Sequence, residues 1–220
     1  MKSPKKGPAY EQYMQLKKSQ ESISNQDFEP IIVNNIFSTE DIEHLYEIVN
    51  NTPEEKTQIQ KWGGMKAWHI DLGPRIKEKI NEAVKRSLGD YVRLVEDHSF
   101  CRYSMEYGWM TKLFPHTDMR DSQRITFDIQ VKADEEWGVV VEDVEYFLED
   151  NQALVFAGTQ QPHWRRAKEL KPGSHQDMIF CHLEYVNDTP YDEHQDQILN
   201  ERNRFFSEYY DMHPDPSTFY

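Results

Sequence analysis

Ile125-Thr126-Phe127-Asp128-Ile129-Gln130-Val131-Lys132 decides the fold class of this 220-residue chain. Apolar and polar residues alternate over all eight positions, and successive side chains of an extended backbone point to opposite faces. The octet predicts a half-buried strand. Working outward, the same period fits strands over Val92 to Met105, Trp137 to Val141, Val144 to Leu148, Ala153 to Phe156 and Met178 to Val186. Turn formers separate them, including Asp134-Glu135-Glu136, Glu149-Asp150-Asn151 and Lys171-Pro172-Gly173-Ser174. Before Gly89 the period is helical. Ile42, Leu45, Tyr46, Ile48 and Val49 share one face of a helix that Ser38-Thr39-Glu40-Asp41 would cap. Ile76, Ile80, Val84 and Leu88 recur every four residues in a second helix, from Pro74 to its stop at Gly89. A β-branched run, Pro30-Ile31-Ile32-Val33, precedes both. Helices followed by many short strands make an α+β chain whose second part is a sandwich or barrel.

The rest of the chain sets boundaries. Residues 1–28 are polar and read as a flexible or loosely docked arm, with at most a short helix over Tyr10 to Lys18; residues 29–186 hold the domain. Residues 187–220 form an acidic, aromatic extension, and Ile198, Phe205, Phe206 and Tyr209 suggest a helix packing back on the body. With 25 basic and 39 acidic residues the net charge is −14, a field that repels nucleic-acid backbones and anionic membranes. No apolar run approaches the ~20 residues needed to cross a bilayer, so a cytoplasmic protein is expected, with no nucleic-acid or membrane partner. Two cysteines, Cys101 and Cys181, are too few for a disulfide framework and are expected to be reduced core residues. The oligomeric state is not legible.

Phe114-Pro115-His116-Thr117-Asp118 carries the chemistry. Residues two apart on an extended segment project to the same side, so the imidazole and the carboxylate can reach one ion. His163 follows 45 residues after Asp118, a gap that accommodates about four short strands, and it would complete a two-histidine, one-carboxylate face. Such a face leaves open positions on Fe(II) for oxygen and a bidentate co-substrate. The same spacing occurs in His175-Gln176-Asp177 and His194-Gln195-Asp196, but neither is followed by enough chain for a returning histidine strand. On the residues alone, ordinary hydrogen-bonded polar groups are the alternative reading of all three motifs.

From about Glu29 to Val186 the chain resembles the Fe(II)/2-oxoglutarate-dependent oxygenase superfamily, on its prolyl-hydroxylase-like side. Ile31-Ile32-Val33 through Leu45 resembles the strand and helix that open those domains. Arg102-Tyr103, Tyr107-Gly108 and His116-Thr117-Asp118 resemble their first ligand strand, and Asn151-Gln152-Ala153-Leu154-Val155-Phe156-Ala157-Gly158 with His163 resembles the approach to the distal histidine. The resemblance implies a double-stranded β-helix, or jelly roll, with N-terminal flanking helices. It implies His116, Asp118 and His163 as ligands of Fe(II), and O2 and 2-oxoglutarate as co-substrates. The activity it implies is hydroxylation of a small-molecule or peptide substrate, since related halogenases resemble this motif with a small residue where Asp118 stands.

One expected feature is missing. Most members of the family hold the distal carboxylate of 2-oxoglutarate with a basic residue on the last strand, and the matching stretch here, Gly173-Ser174-His175-Gln176-Asp177, has no Arg or Lys. Arg165 is the best replacement, because two residues beyond His163 it shares the ligand's face. Arg102 is second, Arg124 third, and Arg166 should face away. Tyr103 is expected beside the co-substrate. Trp109, Trp137 and Trp164 are read as packing residues before pocket residues. The missing basic residue also motivates a rival function: a jelly-roll module that binds metal without turnover and acts in binding or assembly. A cupin-like oxygenase that chelates its substrate directly is disfavoured by Asp118, because those sites resemble three-histidine clusters.

Overall fold

The computed structural model describes residues 8–19, 29–118, 125–142 and 144–186 and, further on, 197, 198, 200–202, 204–206 and 208. Strand β1 (Ile31–Asn34) leads into helix α2 (Thr39–Asn50); helix α1 lies upstream, over Pro8–Ser19. The start of α2 is fixed as the sequence suggests: Ser38 Oγ accepts from the Asp41 amide at 3.3 Å, and Asp41 Oδ2 accepts from the Ser38 amide at 3.0 Å. A hairpin, β2 (Thr57–Gln60) and β3 (Met65–Trp68), follows, and its alternation is too short and too polar to be read from sequence. Helix α3 (Gly73–Leu88) ends at Gly89, whose φ of 85° suits glycine.

Eight strands then wind into a jelly roll. They are β4 (Val92–Ser104), β5 (Thr111–His116), β6 (Ile125–Ala133), β7 (Val139–Val141), β8 (Val144–Tyr146), β9 (Gln152–Phe156), β10 (His163–Lys168) and β11 (His175–Tyr185). One sheet has the order β1-β9-β6-β11-β4-β3-β2 and the other β5-β10-β7-β8; the pairings are all antiparallel. This is the α+β, double-stranded β-helix architecture expected. The last strand begins at His175 rather than Met178, and the strand expected from Trp137 begins at Val139.

The main core lies outside the roll, between the large sheet and α2 and α3, where Leu45, Ile76, Ile80, Phe100, Phe127, Ile129 and Ile179 pack together. Cys101 and Cys181 are free thiols, both buried as expected. Strand β6 departs from its sequence reading. Ile125 through Val131 are all buried, so the polar face is covered as thoroughly as the apolar one. The polar residues face the interior of the roll, not solvent.

Helix α1 and the described residues around Phe206 pack on the outside of the small sheet. Within the expected arm, α1 buries Tyr13 completely against Val140, Trp164 and Phe206. Ile198 and Phe206 are buried, and the Tyr13 and Phe206 rings stand 4.6 Å apart; Tyr209 is outside the described residues. Among the described residues no helix is long and apolar enough to cross a membrane.

Candidate metal centre

His116 ends β5 and His163 opens β10, and the two are direct partners in the β5–β10 ladder. Asp118 follows β5 by two residues, its amide donating to the Gly158 carbonyl at 3.0 Å. Asp118 Oδ1 lies 3.8 Å from His116 Nε2 and 3.6 Å from His163 Nε2. Two atoms bonded at about 2.1 Å to one ion can be no more than about 4.2 Å apart, so both separations fit a shared divalent cation. Among the described residues this is the one such cluster of three metal-ligating side chains.

Backbone carbonyls set the tautomers. His116 Nδ1–H donates to the Phe114 carbonyl at 2.8 Å, and His163 Nδ1–H donates to that of Gln161 at 3.1 Å. With Nδ1 so engaged, each Nε2 faces the cluster and presents its lone pair to it when the ring is neutral. Without an ion, burial of His163 opposes its protonation, but the Asp118 carboxylate outweighs it and pushes the imidazole up. Burial, with His163 adding to it, pushes the His116 imidazole down to about 4, which keeps it a neutral donor. Burial opposes ionisation of Asp118, but the facing His163, with His182 and His116, outweighs it and holds the carboxyl well below its usual range.

Thr126, Gly158, Asp128 and His182 also border the cluster, and none of them is among the candidate site residues read from the sequence. Thr126 Oγ1 donates to Asp118 Oδ2, and His182 Nε2 stands 3.8 Å from the same oxygen. Alternation puts Thr126 and Asp128 on a face indistinguishable from a solvated one, and no metal-ligand spacing marks His182, which lies in one strand with His175. Asp128 is buried with Oδ1 lacking a hydrogen-bond partner, and burial pushes its carboxyl up to about 7.

Deeper in the roll lies the other half of the site. Arg165 is 2% exposed. Its Nη1 donates to the Trp137 carbonyl at 2.6 Å and to Gln176 Oε1 at 3.4 Å, Nη2 points at Met178 Sδ, and the guanidinium lies 5.0 Å from the Trp137 ring centre. These partners are all neutral. Tyr103 packs edge-on to Trp137, and its buried hydroxyl has no hydrogen-bond partner. Gln176 is tied in turn to Gln130.

Arg102 does not join this group. It neighbours Tyr103 in a regular part of β4 and so takes the opposite face, where its Nε and Nη2 donate to Asp177 at 2.7 and 2.8 Å. Tyr46 of α2 donates to the same carboxylate at 2.7 Å. The expectation that Arg102 holds a co-substrate is therefore corrected: its charge is already matched, outside the roll. Asp177, in the stretch that lacks the basic residue, is the group that matches it. Arg166 lies toward Glu145, its Nε 3.6 Å from Oε2. Trp137 lines the Arg165 pocket, Trp164 packs outside the roll, and Trp109 is exposed. Arg124, His194, Asp196 and His213 lie outside the described residues.

No family model and no curated protein matches the sequence. Solved structures do match. HygX from Streptomyces hygroscopicus, with nickel, 2-oxoglutarate and hygromycin B bound, has a TM-score of 0.54 at 10% identity, over 80% of this chain and 90% of its own. SnoN, a non-haem alpha-ketoglutarate-dependent epimerase from nogalamycin biosynthesis, has a TM-score of 0.53 at 11% identity, over 83% and 94%. A 2OG-Fe(II) oxygenase-family oxidoreductase from Burkholderia pseudomallei has a TM-score of 0.52 at 7% identity, over 86% and 96%. The fold is thus that of the iron- and 2-oxoglutarate-dependent oxygenases. The likeness bears on the superfamily fold and not on its prolyl-hydroxylase-like branch.

Proposed function

We propose that this chain is a non-haem Fe(II)- and 2-oxoglutarate-dependent dioxygenase that hydroxylates a small-molecule substrate. The observation that carries the reading is a mismatch of charge. Arg165 buries a guanidinium whose hydrogen-bond partners are all neutral, beside the orphan phenol of Tyr103 and on the same face of β10 as His163. A buried cation and a buried unpaired donor both call for an anion, and a carboxylate suits a guanidinium because it accepts two parallel hydrogen bonds. A dicarboxylic 2-oxo acid would put one end there and the other at the His116, Asp118 and His163 cluster.

In this reading His116 and His163 hold iron through Nε2 and Asp118 through Oδ1. When bound, iron and 2-oxoglutarate supply oxygen activation coupled to decarboxylation, with succinate and CO2 as products. The chain's own residues do the positioning. Arg165 and Tyr103 fix the distal carboxylate, Trp137 and Met178 keep water from that salt bridge, and the Phe114 and Gln161 carbonyls hold each imidazole in one orientation. Support for small-molecule chemistry comes from HygX, seen with hygromycin B, and from SnoN. Hydroxylation is preferred to halogenation because Asp118 fills the position that a halide would need.

The test is to titrate 2-oxoglutarate into anaerobic Fe(II)-loaded protein, following the visible charge-transfer band of the bidentate chelate, and to measure succinate release. Arg165→Lys should weaken 2-oxoglutarate by about 1.5 to 3 kcal/mol, about ten- to a hundredfold, with iron affinity nearly intact, while Arg102→Lys leaves it unchanged. A wild-type protein that binds iron but develops no band would leave the rival, a metal-binding module without turnover.

A further inference from the structure

The two oxygens of Asp118 have different surroundings. Oδ1 faces both imidazole Nε2 atoms. Oδ2 is turned away to accept from Thr126 Oγ1, on the inner face of β6, with His182 Nε2 at 3.8 Å. Space for this comes from one residue. A Cβ at Gly158 would collide with both Asp118 Oδ2 and Thr126 Oγ1, and the Gly158 carbonyl is the acceptor that fixes the Asp118 backbone. Any larger residue at 158 would push carboxylate and hydroxyl apart.

We propose that Thr126, in the room left by Gly158, is a positioning residue that makes Asp118 a one-oxygen ligand. This rests on the oxygenase reading above. A carboxylate can ligate a cation through one oxygen or both. With Oδ2 held by a charge-assisted hydrogen bond to a side chain anchored in the sheet, that oxygen is not available to the ion. The coordination position so preserved is one that a bidentate co-substrate plus oxygen requires, because a three-ligand face leaves about three. Removing the hydroxyl frees Oδ2 in a buried pocket, where the cation is the strongest partner within reach.

The discriminating variants are Thr126→Val, which keeps the branched shape in the strand, and Thr126→Ser, which keeps the hydroxyl. Three quantities are read: Co(II) and Fe(II) affinity by calorimetry, the Co(II) visible spectrum without co-substrate, and 2-oxoglutarate affinity from the anaerobic Fe(II) band. Thr126→Val should bind metal as tightly as wild type or tighter, show Co(II) bands shifted from those of wild type because Oδ2 takes a position otherwise left to water, and bind 2-oxoglutarate about tenfold or more weakly. Thr126→Ser should restore all three. A mere scaffold role predicts parallel loss of metal and 2-oxoglutarate affinity, and that result, or unchanged values of both, overturns the proposal. If wild type shows no 2-oxoglutarate band, the oxygenase reading fails, and the Co(II) spectra still decide the clamp.

Discussion

The two faces of β6 are equally buried and chemically opposite. Phe127 and Ile129 point to the helices and join the main core, while Thr126, Asp128 and Gln130 point into the roll. Burying the first set drives folding, since apolar area removed from water stabilises by about 25 cal/mol per Å2. Burying the second set opposes it unless each group finds a partner. Gln130 finds two, Gln176 and the Leu148 carbonyl, and Thr126 finds Asp118; Asp128 keeps an oxygen unpaired. One strand thus separates two demands on the chain, stability on one side and, in the proposed reading, ligand binding on the other.

That contrast can be broken from either face. The largest effect is expected from Phe127→Ala, which should lower unfolding free energy by about 3 to 5 kcal/mol in denaturant melts while folded molecules bind metal normally. Loss of metal affinity without loss of stability would show that the faces are not independent.

A smaller effect, of a few kcal/mol at most, concerns Asp128. Its carboxyl is raised from 3.8 to about 7, so the folded state holds a proton that the unfolded chain releases earlier. Metal-free protein should lose this stability as pH rises from about 4 to about 7, and Asp128→Asn should flatten that stretch of the stability profile. Identical profiles for the two proteins would mean that Asp128 is ionised throughout. The smallest effect belongs to Tyr103→Phe. Removing a hydroxyl without a partner should leave the melting temperature unchanged or slightly raised, yet weaken 2-oxoglutarate by about 0.5 to 1.5 kcal/mol. Destabilisation instead would place a bound water, not a ligand, on that phenol.

The same contrast explains what the sequence disclosed. Alternation revealed β6, because strand periodicity is local; spacing made His116, Asp118 and His163 candidates ahead of the two other His-x-Asp motifs, and the family resemblance chose them as ligands. Whether Thr126, Asp128 and Gln130 faced solvent or a cavity was not legible, since a polar face reads the same in both settings until the second sheet is placed over it. Arg102 and Arg165 posed the same difficulty. Both neighbour promising residues, and only the ladder that sets Asp177 opposite Arg102 shows which cation is already neutralised. The β2–β3 hairpin escaped because Thr57–Gln60 is almost wholly polar.

His116 and His163 are ladder partners from positions 47 residues apart in the chain. An ion gripped by both would behave as a cross-link closing a long loop, and it would exist only when the two strands are in register, because a slip of one residue turns one imidazole to the other face. Binding of this kind favours the folded chain by RT ln(1 + [L]/Kd), about 2.7 kcal/mol at a hundredfold excess over Kd. In the proposed reading the histidine pair would therefore also act as a proofreader of assembly: an ion would favour the correct strand pairing, and a misregistered sheet would gain nothing from it.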